Sequence, residues 1–176
     1  MMKYTAAIVS MMAVLLVGCD QGYRDERRAQ HINCVSNLKM IGIAFRLWEG
    51  DHGDQFPFNL STNAGGTMEL CATNMDGFDR NAYLHLRTMT NELTAPLLLI
   101  CPQDRSKKAA TNWANLQAEN ITYRFRSGPN VTETNENEVL AICPIDGNTL
   151  YCDGHVAEGK QAGGKKSDDH NLMHVQ

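Results

Sequence analysis

The clearest pattern in the chain is a run of apolar residues at helical spacing that begins at Ile32. Steps of three or four residues separate its members, which places them on one face of a helix. Turn-forming residues from Asp51 onward, followed by Pro57, predict that the helix ends near Gly50. Further apolar residues widen the face, so we expect broad packing of the helix on a sheet. The face consists of Val35, Leu38, Ile41, Phe45 and Trp48, widened by Met40, Ile43 and Leu47.

Shorter patterns follow this helix. Residues 81–93 have a weaker helical pattern that ends before Pro96. Residues 97–101 form a continuous apolar run that favours a buried strand, although periodicity alone leaves a helical turn open. Residues 121–126 alternate between apolar and polar, which predicts a strand with one wet face, and residues 138–143 are a further strand candidate.

The strongest local pattern is a hairpin near the end of the chain. Asp153 and Gly154 separate the strand-like segments 148–152 and 155–158, which predicts a two-residue turn with positive φ at both positions. Helix, short helix and antiparallel strands in this order predict an α+β fold. Residues 159–176 have little to bury, so we expect a disordered polar tail.

The first eighteen residues have the pattern of a secretory signal peptide: Lys3, an apolar run from Ala6 to Val17, and Gly18 before the cut. The run is shorter than the roughly 20 apolar residues of a spanning helix. Leu16-Val17-Gly18-Cys19 resembles the lipobox of bacterial lipoproteins. The alternative is an uncleaved or ordinary signal with an incidental cysteine.

The lipobox resemblance implies that the mature chain begins at Cys19 and carries acyl chains on its thiol. Several chains on one residue would anchor it stably to a membrane. By resemblance to proteobacterial sorting, Asp20 favours retention at the inner membrane of the cell envelope. Residues 19–31 are polar and charged, which predicts a tether that leads into a domain of residues 32–158. A net charge of -4 gives no support to nucleic-acid binding.

Four blocks of the sequence match one family in the same order. The segments 34–48 and 147–156, with the DxxxxFP stretch at 51–57 and the L-x-CP-x-D stretch at 99–104, resemble the pseudopilin-like proteins of planctomycetes and verrucomicrobia. These are relatives of the major pseudopilin of type II secretion. The resemblance implies a pilin-like head, with a long N-terminal helix packed on an antiparallel sheet, and partners among secretion-system or pseudopilin proteins.

The N-terminus departs from that family. Members usually begin with a long hydrophobic helix that holds the subunit in the membrane and the filament, whereas a lipobox and a charged tether stand here. The resemblance therefore favours a structural or interaction component rather than a filament subunit. The alternative is a ligand-binding lipoprotein that takes a solute or a polysaccharide.

Five cysteines remain after Cys19, and in an exported chain cysteines tend to be oxidised. The family resemblance implies a disulfide between Cys34 and Cys101, worth about 4 kcal/mol in the chain-entropy model. Because five is odd, at least one cysteine stays free or pairs outside the molecule, and Cys71 is the preferred leftover thiol.

Cys143 and Cys152 are the rival pair, and the register of their strands decides whether they can bond. A two-residue turn at Asp146-Gly147 would leave them diagonal, about 7 Å apart and too far to join. A four-residue loop from Asp146 to Thr149 would place them directly opposite.

Metal and catalytic motifs are weak. The sequence lacks a CxxC spacing, and its HxxxH spacing, His170 to His174, lies in the predicted tail, so zinc is not expected. The resemblance keeps calcium open at Asp104, Asp146 and Asp153, although such residues at strand ends are mostly turn formers. No nucleophile elbow or phosphate-binding loop is present, so neither catalytic residues nor an enzyme is expected. The scattered histidines are expected to be exposed or in turns; those before the tail are His31, His52, His85 and His155.

Overall fold

A computed structural model describes residues 2–135 and 137–159, with side chains from Gln21 onward. The side chains of the predicted signal peptide and of Cys19 lie outside the described part, as do residues 160–176 of the predicted tail. Within the described part, no helix is both long enough and apolar enough to cross a membrane.

The first element is the long helix α1 (Met2–Asp51), which ends where the turn residues predicted. Its charged segment 21–29 is exposed on all sides, and continuous burial of one face begins at His31. From Val35 onward the predicted face is buried, with Leu38 and Ile41 fully enclosed and Phe45 and Trp48 nearly so. Ile32, where the predicted pattern begins, is 57% exposed, so the start of the pattern is wrong.

The predicted broad face of α1 is wrong. Met40, Ile43 and Leu47 are 40%, 52% and 56% exposed. At 3.6 residues per turn they lie on the side of the helix opposite the buried residues, so they cannot reach the same sheet. The buried face is instead completed by Ala44 and Glu49, which are 1% and 3% exposed, and it approaches the sheet closely at Gly42, where an added Cβ would lie 2.9 Å from Cδ1 of Leu150.

The middle of the chain contains less regular structure than predicted. Helix α2 (Ala82–Thr88) covers only part of residues 81–93, although Met89 and Leu93 beyond it are still buried. The predicted strand at 97–101 is wrong, because Pro96–Leu99 is a 3-10 turn with proline at its first position and Leu97 exposed. The other 3-10 turns are Pro57–Asn59, Thr62–Ala64, Met68–Leu70, Trp113–Asn115 and Ala118–Asn120.

Four antiparallel strands form one sheet in chain order. They are β1 (Arg124–Phe125), β2 (Val139–Ile142), β3 (Thr149–Tyr151) and β4 (Val156–Ala157). Strand β1 is shorter than predicted, but Ile121, Tyr123 and Phe125 are all buried, as the alternation indicated. Thr122, predicted on the wet face, is buried as well, and its hydroxyl donates to Asp104. The helix and the sheet confirm the α+β class.

The final hairpin forms, but its predicted two-residue turn is wrong. Leu150 pairs with Val156, and the Tyr151 N–H donates to the carbonyl of His155 at 3.0 Å. The loop is therefore three residues long, and within it only Gly154 has a positive φ, at +90°. A turn followed by a left-handed glycine is a common three-residue hairpin loop, and Asp-Gly suits it as well as the two-residue form.

Candidate functional site

The fold brings three cysteines and one carboxylate together beneath α1. One ligating atom from each of Cys34, Cys101, Cys143 and Asp146 lies within 4.8 Å of every other. The three cysteine residues are fully buried. This thiol cluster, as we call these four residues, joins three parts of the chain that are far apart in sequence.

Each member is positioned by a different element. Cys34 lies on the buried face of α1, and Cys101 follows the 3-10 turn Pro96–Leu99. The Asn37 side chain, one turn after Cys34, donates to the carbonyl of Ile100 at 3.1 Å, which holds this turn against the helix.

Cys143 and Asp146 come from the loop between β2 and β3. Ile142 pairs with Thr149, the Cys143 N–H donates to the carbonyl of Asn148 at 2.8 Å, and the Gly147 N–H donates back to the carbonyl of Cys143 at 2.9 Å. The loop therefore spans residues 144–147, which is neither of the two arrangements considered from the sequence. In this register the Cys152 N–H donates to the carbonyl of Glu138, at the far end of β2 from Cys143.

All five cysteines in the described part are free thiols in this structure. Cys34 and Cys101 are close neighbours, and their pairing stays a prediction of the family resemblance. Cys143, the third sulfur of the cluster, was not predicted from the sequence to lie beside them. A local pattern could have found it: the chain contains Cys-Pro-x-Asp twice, at Cys101–Asp104 and at Cys143–Asp146.

The thiols of the cluster differ in the direction in which their surroundings shift the pKa. Hydrogen bonds from Cys101 and then Cys34 lower the pKa of Cys143, and the Asp146 N–H adds to this at 3.4 Å from its sulfur. The same contact with Cys143 raises the pKa of Cys101. Negative charge in the cluster is therefore favoured on Cys143.

Asp146 faces two further side chains. Nε2 of Gln103 donates to Oδ1 of Asp146 at 2.5 Å, and Nδ1 of His31 lies 3.5 Å from the same oxygen. His31 is only 4% exposed, so the expectation of an exposed histidine is wrong here; it lies one turn before Cys34 on the buried face of α1. Its Nε2 lies 3.5 Å from a carboxylate oxygen of Glu158.

The three calcium candidates are not brought together. Asp104 accepts hydrogen bonds from Ser106 and Thr122, and Asp153 accepts from the backbone and ring of its turn neighbour His155. Both therefore act as turn residues, and only Asp146 joins a cluster of potential ligands in the described part of the chain.

A second cluster contains Cys71, Asp79 and His85. His85 is also buried, contrary to expectation: its Nε2 lies 2.9 Å from Oδ2 of Asp79 and its Nδ1 lies 2.7 Å from the Thr67 hydroxyl. Burial opposes ionisation of Asp79, but hydrogen bonds from His85, Ser127 and two backbone N–H groups outweigh it and lower the pKa of Asp79 to about 2.

This arrangement does not activate Cys71. Its sulfur lies 4.0 Å from Nε2 of His85, the nitrogen that donates to the ionised Asp79, so that nitrogen cannot accept the thiol proton. Burial also raises the pKa of Cys71. We therefore assign Asp79 and His85 a structural role.

Cys71 lines a cavity of about 440 Å³ on the surface. Phe58 and Met68 provide apolar walls, and Asn59, Asp54 and Thr132 provide polar groups. This mixture and size fit a small ligand.

Comparison with protein-family models, with curated proteins and with solved structures finds no match to this chain.

Proposed function

We propose that the protein is a membrane-anchored lipoprotein of the cell envelope whose pilin-like head is a structural or interaction component of a type II secretion or pilus-like system. The observation that supports this most is the continuity of α1, which leads from the N-terminal segment into the core of an α+β domain. Such a helix is the arrangement that the pseudopilin resemblance implies.

The exposed segment 21–29 supports the anchor. At 1.5 Å per residue, Cys19 is about 18 Å along the helix from His31, the first buried residue of the head. An acylated Cys19 at the membrane would thus hold the head just clear of the lipid head groups.

The anchor is tested with a clickable fatty acid in cells. Wild-type protein should incorporate the label and fractionate with membranes, and Cys19→Ala should lose both properties. Cys71→Ala, which removes a cysteine from the head, serves as the control and should still be labelled. Continued labelling of Cys19→Ala would contradict the anchor.

The exposed side of α1 supports an interaction role. Ile43 and Leu47 present apolar side chains to solvent, and exposed apolar surface is typical of protein contacts. Affinity capture from detergent-solubilised membranes should recover secretion-system proteins. Replacing both residues by Glu should reduce the recovery, whereas Met75→Glu, at an exposed residue elsewhere, should not. Capture without any such component would count against the proposal.

The cavity beside Cys71 favours a second candidate, a lipoprotein that binds a solute or a polysaccharide. Oligosaccharides and small solutes can be screened by the change in melting temperature that they cause. Met68→Trp should narrow the cavity and abolish such a change, whereas Met75→Trp should leave it intact. Secretion components recovered by capture favour the first candidate, and a ligand lost with Met68→Trp favours the second.

A further inference from the structure

The thiol cluster has the composition of a metal site. Thiolate sulfur and carboxylate oxygen both bind Zn²⁺, and structural zinc sites are four-coordinate and tetrahedral. With Zn–S bonds of about 2.3 Å, ligand atoms in such a site are about 3.8 Å apart. The four ligating atoms already lie within 4.8 Å of one another, which exceeds the sulfur spacing of such a site by about 1 Å at most.

Two of the four ligands come from one tight turn. Cys143 and Asp146 are the ends of a C-x-x-D sequence, which has the spacing of the C-x2-C pairs common in structural zinc sites. The Asp146 N–H points at the sulfur of Cys143 at 3.4 Å. The local backbone is therefore arranged to present two ligands and to stabilise a thiolate.

Buried polar groups around the cluster lack partners of their own. Nδ1 of His31 is enclosed without a hydrogen-bond partner among the described residues, and Nδ2 of Asn148 is enclosed with no partner except the Cys34 thiol. His31 lies beside Asp146, and the Asn148 side chain lies beside the Cys34 thiol. Donors of this kind orient and stabilise the ligands of a metal, and Gln103 already does so for Asp146.

A disulfide explains less of the arrangement. Joining Cys34 to Cys101 would use two sulfurs and leave the Cys143 thiol and the Asp146 carboxylate, whose side chain is 6% exposed, beside the new bond. Neither group has a role in that disulfide, whereas a cation would bind all four ligand atoms. The third sulfur and the carboxylate therefore favour a metal.

We propose that Cys34, Cys101, Cys143 and Asp146 bind one Zn²⁺ ion in a closed structural site that ties α1, the turn before Cys101 and the β2–β3 loop together. On binding, the three thiols release three protons and form three Zn–S bonds, and the Asp146 carboxylate supplies the fourth ligand. The proposal goes beyond the function proposed above and does not depend on the anchor or on any partner.

The test uses the full chain, purified in detergent. Elemental analysis of native material should find about one zinc per chain. After zinc is removed by a chelator under reducing conditions, added Co²⁺ should give the sulfur-to-cobalt absorption and the intense visible bands of tetrahedral coordination. The chelator alone should also lower the melting temperature of the wild type, which gives a readout without any substitution.

Variants locate the site. Cys143→Ser and Asp146→Asn should lose the zinc and change the cobalt spectrum, whereas Cys152→Ser, at a buried cysteine outside the cluster, should keep both. Gln103→Ala should weaken zinc binding by about 10-fold to 100-fold, because it removes a donor to a ligand. These variants are compared after circular dichroism has shown that they fold.

Three results would overturn the proposal. One is a Cys34–Cys101 disulfide in non-reducing mass mapping of native material. Another is reduced wild type that gives no tetrahedral cobalt spectrum. The last is a Cys143→Ser spectrum identical to that of the wild type.

Discussion

Nη1 of Arg46 lies 2.9 Å from Oε1 of Glu49, one turn further along α1, and the same guanidinium contacts the carboxylate of Glu133. Glu49 is only 3% exposed, and its Oε2 has no hydrogen-bond partner among the described residues. Burial, together with a hydrogen bond to Glu133, raises the pKa of Glu49 to about 8, although Arg46 opposes the shift. The carboxyl groups of Glu49 and Glu133 thus share the Arg46 guanidinium, and Glu49 retains its proton at neutral pH.

This predicts that stability falls as pH rises. The folded chain holds a proton on Glu49 that the unfolded chain loses near its ordinary value of 4.5, so the free energy of unfolding should decrease between about pH 4.5 and 8. Glu49→Gln mimics the protonated form and should remove most of this decrease. Urea unfolding at both ends of the range measures it, with exposed Glu119→Gln as the control. Parallel pH curves for the wild type and Glu49→Gln would contradict the prediction.

Asp79 should give the opposite pH dependence of stability. Its folded pKa, near 2, lies below the ordinary value of 3.8, so its contribution to stability is present above about pH 3.8 and lost as pH falls towards 2. Asp79→Asn should cost about 1–3 kcal/mol at neutral pH, since it leaves buried donors, among them His85, without their carboxylate acceptor. Asp76→Asn, which removes an exposed partner of Arg124, should cost less than about 1 kcal/mol. An equal decrease in the free energy of unfolding of the two variants would show that the buried hydrogen bonds of Asp79 add little to stability.

A helix substitution tests the contact between α1 and the hairpin. Gly42→Ala places a Cβ 2.9 Å from Leu150 and 3.3 Å from the carbonyl of Gly154, so crowding should destabilise the fold by about 1–3 kcal/mol despite the better helix former. Gly22→Ala meets nothing within 4 Å and should stabilise the helix by up to about 1 kcal/mol. Thermal unfolding compares them. A stabilised Gly42→Ala would mean that the hairpin moves away at little cost.

Two leucines on opposite sides of α1 test which side is core. Leu38→Ala should cost about 2–5 kcal/mol, because Leu38 is fully buried. Leu47→Ala should change the free energy of unfolding by less than about 0.5 kcal/mol, because Leu47 is 56% exposed. Denaturant titration distinguishes them, and similar costs would show that Leu47 is buried in solution, for example by a second molecule.

The elements that could be predicted are those set by local periodicity. The predicted residues of α1 from Val35 to Trp48 recur every three or four positions and are buried, and the alternation identifies Ile121, Tyr123 and Phe125 as buried but misses Thr122. Which side of α1 is buried was harder to predict, because Met40, Ile43 and Leu47 on the exposed side are as apolar as the core residues. Only the position of the sheet, which is a long-range property, distinguishes the two sides.

The loops and the thiol cluster were less predictable for related reasons. Asp153-Gly154 fits both a two-residue and a three-residue hairpin, and the choice depends on the pairing of Leu150 with Val156. Cys34, Cys101 and Cys143 meet only after helix, turn and sheet have packed, so no spacing along the chain reveals them. The repeated Cys-Pro-x-Asp sequence was the one local indication.

The continuity of α1 gives the protein a mechanical property. The described side chains from Gln21 to Asp51 lie on a segment of α1 about 46 Å long, whose first third extends beyond the packed head. A rod of this kind behaves as a lever: a sideways displacement at its N-terminal end would tilt residues 38–45 against the hairpin rather than bend a linker. Strain applied at the far end would thus reach Gly42 and Cys34 directly.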